Sequence, residues 1–131
     1  MTPWQVASLV SHVRASAQVN DVTARDWRKR HKQWHMSKSF DIFGPLGPVA
    51  VTADEIDGGN LDLRCWVNGE LRQSANSRDL IFDIPTLTET ISAGTPEGVG
   101  IGFNPPRFLK RGDLVSIEIS GIGRLENKVA I

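Results

Sequence analysis

The chain has a single cysteine, Cys65, in 131 residues. That excludes an intramolecular disulfide framework and fits a reducing compartment. It also lacks net charge, with 15 Lys and Arg set against 15 Asp and Glu. No global field therefore steers it toward nucleic acid or an anionic membrane, and neither is expected as a partner. No apolar run nears the length of a membrane span, and the N-terminus shows no small-residue cleavage pattern. The expected location is cytoplasmic. The length is too short for two ordinary domains, so residues 1–131 read as one. What is present, 40% hydrophobic and 23% charged residues, is the balance of a globular fold and not of a disordered chain.

Helical signals come first. Thr2 caps and Pro3 takes the first helical position, where its missing N–H is harmless, and Val6, Leu9, Val10 and Val13 follow at helical spacing. A second helix is expected from a Thr23 cap, with Asp26 in its first turn and the basic, water-facing run Arg28 to Lys32 beyond. After Phe40, Gly44, Pro45, Gly47 and Pro48 predict a rigid loop.

The period then changes to two. Leu61, Leu63, Cys65 and Val67 alternate with Asp62, Arg64 and Trp66, and Asn68-Gly69 follows, a strong hairpin signal because both positions tolerate positive φ. Leu80 to Ile84 reads as a short strand and Pro85 to Ser92 as a brief third helix. Gly94 to Pro106 is a Gly/Pro-rich loop of a length that usually serves function. Val115, Ile117 and Ile119 alternate with Ser116, Glu118 and Ser120, and a Gly121–Gly123 turn leads to a last strand. The expected class is α+β, mainly β: an antiparallel sheet with two N-terminal helices and a short third helix.

Several motifs then line up in order. Asn20-Asp21-Val22-Thr23-Ala24-Arg25-Asp26 is similar to an N-D-x-[ST]-A-R-D signature. Gln33-Trp34, Lys38-Ser39-Phe40-Asp41 and Gly44-Pro45-Leu46-Gly47-Pro48 follow it, then the hairpin from Leu61 to Gln73 and the loop from Ala93 to Gly102. From Asn20 onward the chain resembles the fumarylacetoacetate hydrolase family, closest to its branch acting on small 2-oxo and diketo acids. The resemblance implies an incomplete β-roll or sandwich of that family's type, a homodimer, and a magnesium ion that chelates adjacent substrate oxygens. Such a hard cation stabilises an enolate as a Lewis acid. By motif, Asp21 matches the metal-binding aspartate, Lys38 a catalytic lysine that offsets developing negative charge, and Arg25 and Thr95 substrate-binding residues.

Departures from the family pattern are equally specific. The family's glutamate ligands, including an E-x-E pair, lie upstream of the N-D motif, where Met1 to Asn20 holds no Asp or Glu and His12 is the one titratable candidate. Thr86 to Ser92 joins almost directly to Ala93-Gly94-Thr95, as if an interior strand were deleted. Arg28 stands where the family commonly has glutamine, and Ser37 where it has a glycine that serves positive φ or close approach. The first helix is expected to replace the strand that enters the N-D motif. The expectation is a truncated domain whose metal-assisted hydrolase, isomerase or decarboxylase chemistry is impaired or altered. The alternative is a non-catalytic remnant serving binding or assembly.

Plainer roles compete for each residue. Asp21 suits an Asx turn, Lys38 the surface, and Arg25 an ion pair with Asp21 or Asp26. His31 and His35, four apart, suit a helix face better than a metal clamp. The basic run suits a solvated face, Cys65 a buried inert thiol, and Glu97 an ordinary loop position.

Overall fold

A computed structural model describes residues 15–31, 33–81 and 96–130. The expected helices at Thr2–Val13 and Pro85–Ser92, the deletion beside the latter, and Thr95 lie outside those residues. The architecture is mainly β, as the sequence implies. Strands β3 (Asp62–Val67), β4 (Glu70–Asn76), β5 (Leu114–Ile119) and β6 (Gly123–Lys128) form an antiparallel sheet in the order β4-β3-β5-β6. Strands β1 (Ala15–Val19) and β2 (Leu46–Thr52) form a separate antiparallel pair.

The Asn68-Gly69 turn closes the β3–β4 hairpin with φ of 52° and 81°, the left-handed pair that a two-residue hairpin needs. Asn68 also closes the neighbouring connection. Its side chain donates to Asp113 Oδ1 at 2.9 Å and accepts from the Leu114 amide at 2.9 Å. Alternation places Cys65, Val115 and Ile117 on one buried face, with Val67 and Val129 packed against them. A bulge between Cys65 and Trp66 shifts the β4 register, so Gln73 lies opposite Cys65 and Leu71 opposite Trp66.

Four expectations need correction. A strand, β1, enters the N-D motif where a helix was expected to replace it. The Gly/Pro-rich stretch is not all loop, because Leu46, Gly47 and Pro48 begin β2, and Gly47 pairs with Gln18. Proline is tolerated there because a two-stranded sheet has free edges. The helix in the motif, α1, runs only over Arg25–Arg30, with Ala24 as its N-cap and no side-chain cap bond. Thr23 does not cap because its hydroxyl is engaged elsewhere. Leu80 and Ile81 are likewise outside any strand, following a single 3-10 turn at Ser77–Asp79.

The two sheets meet where β2 packs on β6. The buried Gln18 side chain reaches across from β1, its Nε2 donating to the Ile117 carbonyl of β5 at 3.3 Å. Asn20 Nδ2 donates to Asn127 Oδ1 at 3.4 Å just beyond.

Candidate active site

Strand β1 delivers the Asn20–Ala24 segment to the mouth of a cavity of about 730 Å³. Two backbone bonds hold that segment. The Asn20 amide donates to the Pro45 carbonyl and the Ala24 amide to the Ser37 carbonyl, both at 3.0 Å. The second bond brings Lys38 alongside Asp21, 17 positions away in sequence. Ser37, which stands where the family has glycine, is fully buried and donates from Oγ to the Trp34 carbonyl at 2.6 Å. It is not among the residues of positive φ, so this backbone does not require glycine there.

Lys38 Nζ donates to Asp21 Oδ2 and, at 3.1 Å, to Thr23 Oγ1. An ammonium carries three N–H donors, and these two bonds leave the third free to meet an oxygen. Asp21, Thr23 and Arg25 line the cavity, and Lys38 is bonded to the first two. Arg25 forms no ion pair with Asp21 or Asp26. Burial pushes its guanidinium below its ordinary value, the Arg28 charge acts in the same direction, and Asp21 opposes both. Arg25 is thus a partly desolvated cation without a dedicated carboxylate among the described residues, which suits an incoming anion. The cavity is also lined by Arg72, Gln73, Pro96 and Arg107 and by the apolar side chains of Leu63, Cys65, Val115 and Ile117.

Sequence reading did not single out Arg72, Gln73 or Arg107. Arg72 Nη2 lies 3.2 Å from Glu70 and Arg107 Nη1 lies 2.6 Å from the same carboxylate, and both guanidiniums flank the Phe103 ring. Regular pairing outward from the Asn68-Gly69 turn would set Arg72 opposite Cys65, and only the bulge puts Gln73 there, so no local signal was available. The plainer readings hold for several other residues. His31 ends α1 with extended backbone and stacks on Trp27 at 5.2 Å, so no one helical face carries both His31 and His35. Arg28 lies 3.7 Å over the Trp34 ring. Burial pushes the Cys65 thiol up, with the Arg72 charge opposing, and Glu97 is exposed.

Magnesium takes hard oxygen ligands in near-octahedral array. Asp21 offers one carboxylate, already bonded to Lys38, and among the described residues no group of three or more His, Cys, Asp or Glu gathers. The described donors fit the metal only as a first ligand, and the others would have to come from outside them.

The chain is 47% identical over 131 residues to the oxaloacetate tautomerase YisK of Bacillus subtilis (strain 168), covering 90% of this chain and 44% of the relative. It is 43% identical over 135 residues to fumarylacetoacetate hydrolase domain-containing protein 2 of Pongo abelii, covering 92% and 43%. The chain therefore spans less than half the length of these curated relatives. Among solved structures, the fumarylacetoacetate hydrolase of psychrophilic Exiguobacterium antarcticum superposes with a TM-score of 0.87 at 39% identity, over 99% of this chain and 50% of that one. A 2-hydroxyhepta-2,4-diene-1,7-dioate isomerase from Mycobacterium marinum gives 0.79 at 39%, over 95% and 51%. The family model for the fumarylacetoacetate hydrolase C-terminal domain matches residues 3–130, and the chain belongs to that family.

Proposed function

We propose that the chain serves proton-transfer chemistry on a small 2-oxo acid, with keto–enol tautomerisation of an oxaloacetate-like acid as its reaction. The observation that carries this is the Lys38 ammonium bonded to both Asp21 and Thr23 at the cavity mouth, with Arg25 beside them. In such a reaction a proton leaves the carbon next to the carbonyl, and a proton is added at the carbonyl oxygen. The demand on the protein is to hold the intermediate's negative oxygen. The third N–H of Lys38 meets that oxygen, while Asp21 and Thr23 fix the ammonium in place. Arg25 takes the adjacent carboxylate.

Magnesium, when bound, would add Lewis-acid stabilisation of the same charge, with Asp21 as one ligand. Residues 1–131 act as a single truncated domain in this reading, cytoplasmic and dimeric. The names of the Bacillus relative and of the Mycobacterium isomerase support a tautomerase or isomerase over a hydrolase or decarboxylase.

The test follows decay of enol-oxaloacetate by its ultraviolet absorbance with the chain and magnesium present. Acceleration that falls with Lys38→Ala or with EDTA is expected. A folded sample that neither speeds the decay nor gives heat with magnesium and oxalate would overturn the proposal. It would favour instead the folded binding or assembly module, a reading that draws on the absence of Asp and Glu from Met1 to Asn20.

A further inference from the structure

The part of the cavity lining formed by Pro96, Gly98 and Gly100 is held by a clamp. Gln73 Nε2 donates to the Pro96 carbonyl at 3.1 Å. Two residues on, Gly98 (φ +93°) lies so close to β4 that a Cβ there would stand 1.8 Å from the Arg72 carbonyl oxygen. At Gly100 a Cβ would stand 2.1 Å from the Arg107 carbonyl oxygen, and the Arg107 amide returns a bond to the Gly100 carbonyl at 2.8 Å. The Pro96–Gly100 segment is therefore seated on β4 at one side and on Arg107 at the other.

These contacts divide the labour. Gly98 and Gly100 fix the downstream part by close backbone approach, which owes nothing to Gln73. Among the described residues, the one side-chain bond given to the upstream end comes from Gln73, at Pro96, and Pro96 is covalently joined to Thr95, the residue the family resemblance assigns to substrate. Gln73 lies opposite Cys65 on the cavity face of β4, and Gln73, Pro96 and Gly98 all line the cavity. A hydrophobic residue would pack as well against the apolar side chains there. An amide does one thing more, which is to donate.

We infer that Gln73 is a positioning residue, whose amide N–H holds the Pro96 carbonyl and so sets the wall of the cavity that Asp21 also lines. The inference rests on the proposed function only for what the wall contacts, not for the clamp itself. Losing the donor frees the Pro96 end while Gly98 and Gly100 stay seated, so the effect is local and the fold persists.

The test compares wild type with Gln73→Leu, which keeps the bulk and removes the donor, and with Gln73→Glu, which faces one acceptor with another. Amide exchange is read at Glu97 and Gly98, and oxalate is titrated calorimetrically with magnesium present. The expected result for Gln73→Leu is faster exchange there, unchanged protection across β3 and β5, and oxalate affinity reduced about five-fold, the worth of one hydrogen bond. Gln73→Glu should match it at neutral pH and recover as the carboxyl protonates and becomes a donor. Unchanged exchange would overturn the inference, and so would faster exchange with unaltered oxalate affinity. Wild type that binds no oxalate would instead overturn the proposed function, leaving exchange to decide the clamp.

Discussion

Gly98 and Gly112 share a backbone angle and differ in surroundings, which makes them a controlled pair. Both have φ of +93°, where an L side chain is strained. At Gly112 nothing lies within 4 Å of a built Cβ. Alanine there costs only the strain, about 1–2 kcal/mol. At Gly98 the same Cβ meets the Arg72 carbonyl oxygen at 1.8 Å, the Arg72 carbonyl carbon at 2.9 Å and Gln73 Cγ at 3.2 Å. The first two are backbone in a paired strand and cannot swing aside, so the loop must lift from β4. Overpacking of that kind adds roughly 1–3 kcal/mol, giving about 2–5 kcal/mol in all. Urea unfolding measures both, and the difference between Gly98→Ala and Gly112→Ala isolates the contact from the strain. A difference under about 0.5 kcal/mol, which is within the scatter of independent sites, would refute the close approach and the clamp built on it.

Other consequences can be read with equal directness. Cys65, 7% exposed and with its thiol pushed up by burial, should react with a disulfide reagent only as fast as the protein opens; rapid stoichiometric labelling of native protein would contradict this. Lys38→Met should change stability by less than about 1 kcal/mol because the ion pair is exposed, yet lower the rate of enol-oxaloacetate conversion by roughly 100-fold, as measured by denaturation and initial rates together. Asp113 and Glu126 are held below their ordinary values, by hydrogen bonds led by Asn68 and by Ser116 respectively. A carboxylate depressed in the folded state contributes stability above its unfolded pKa and loses it as pH falls through the folded one. Unfolding midpoints should therefore drop below about pH 4, and Ser116→Ala should remove the Glu126 share of that drop; an acid limb identical to wild type would count against it.

The parts of the fold that could be read ahead are those where side chains alone dictate the outcome. Strands β3, β5 and β6 follow from strict alternation and from Asn68-Gly69, since a one-residue slip would turn Cys65, Val115 and Ile117 to water. Strand β1 could not be read, because Ala15-Ser16-Ala17-Gln18-Val19 carries little β preference and pairs only through its backbone with β2. Strand β2 was hidden by Gly47 and Pro48, residues that a free edge accepts and a local rule rejects. Thr23 misled for a different reason: its hydroxyl suits a cap, but Lys38 takes it, a contact 15 residues distant that no local rule contains. The family signature assigned Asp21 and Lys38 to one site, but their direct ion pair was not foreseen, and Arg25 was the partner offered for Asp21. Gln73 was missed because its importance depends on a bulge and on the loop it meets.

How the site keeps its shape then becomes a question about strands, not helices. Helix α1 has six residues, buries none of them completely and has no side-chain cap, so on its own it would not persist in water. What fixes Arg25 is the tether at each end of the preceding segment, Asn20 to Pro45 and Ala24 to Ser37, together with the anchorage of β1 itself. That anchorage is polar. Gln18 is 2% exposed and gives one bond to Ile117 while its Oε1 finds no donor among the described residues, an arrangement that costs more than an apolar side chain of the same size. Its return is registry, because a directed bond from β1 to the central strand β5 allows one alignment where greasy packing would tolerate several. The Asp21–Lys38 pair stands three residues beyond Gln18, so the precision of the chemistry is set at the junction of the two sheets.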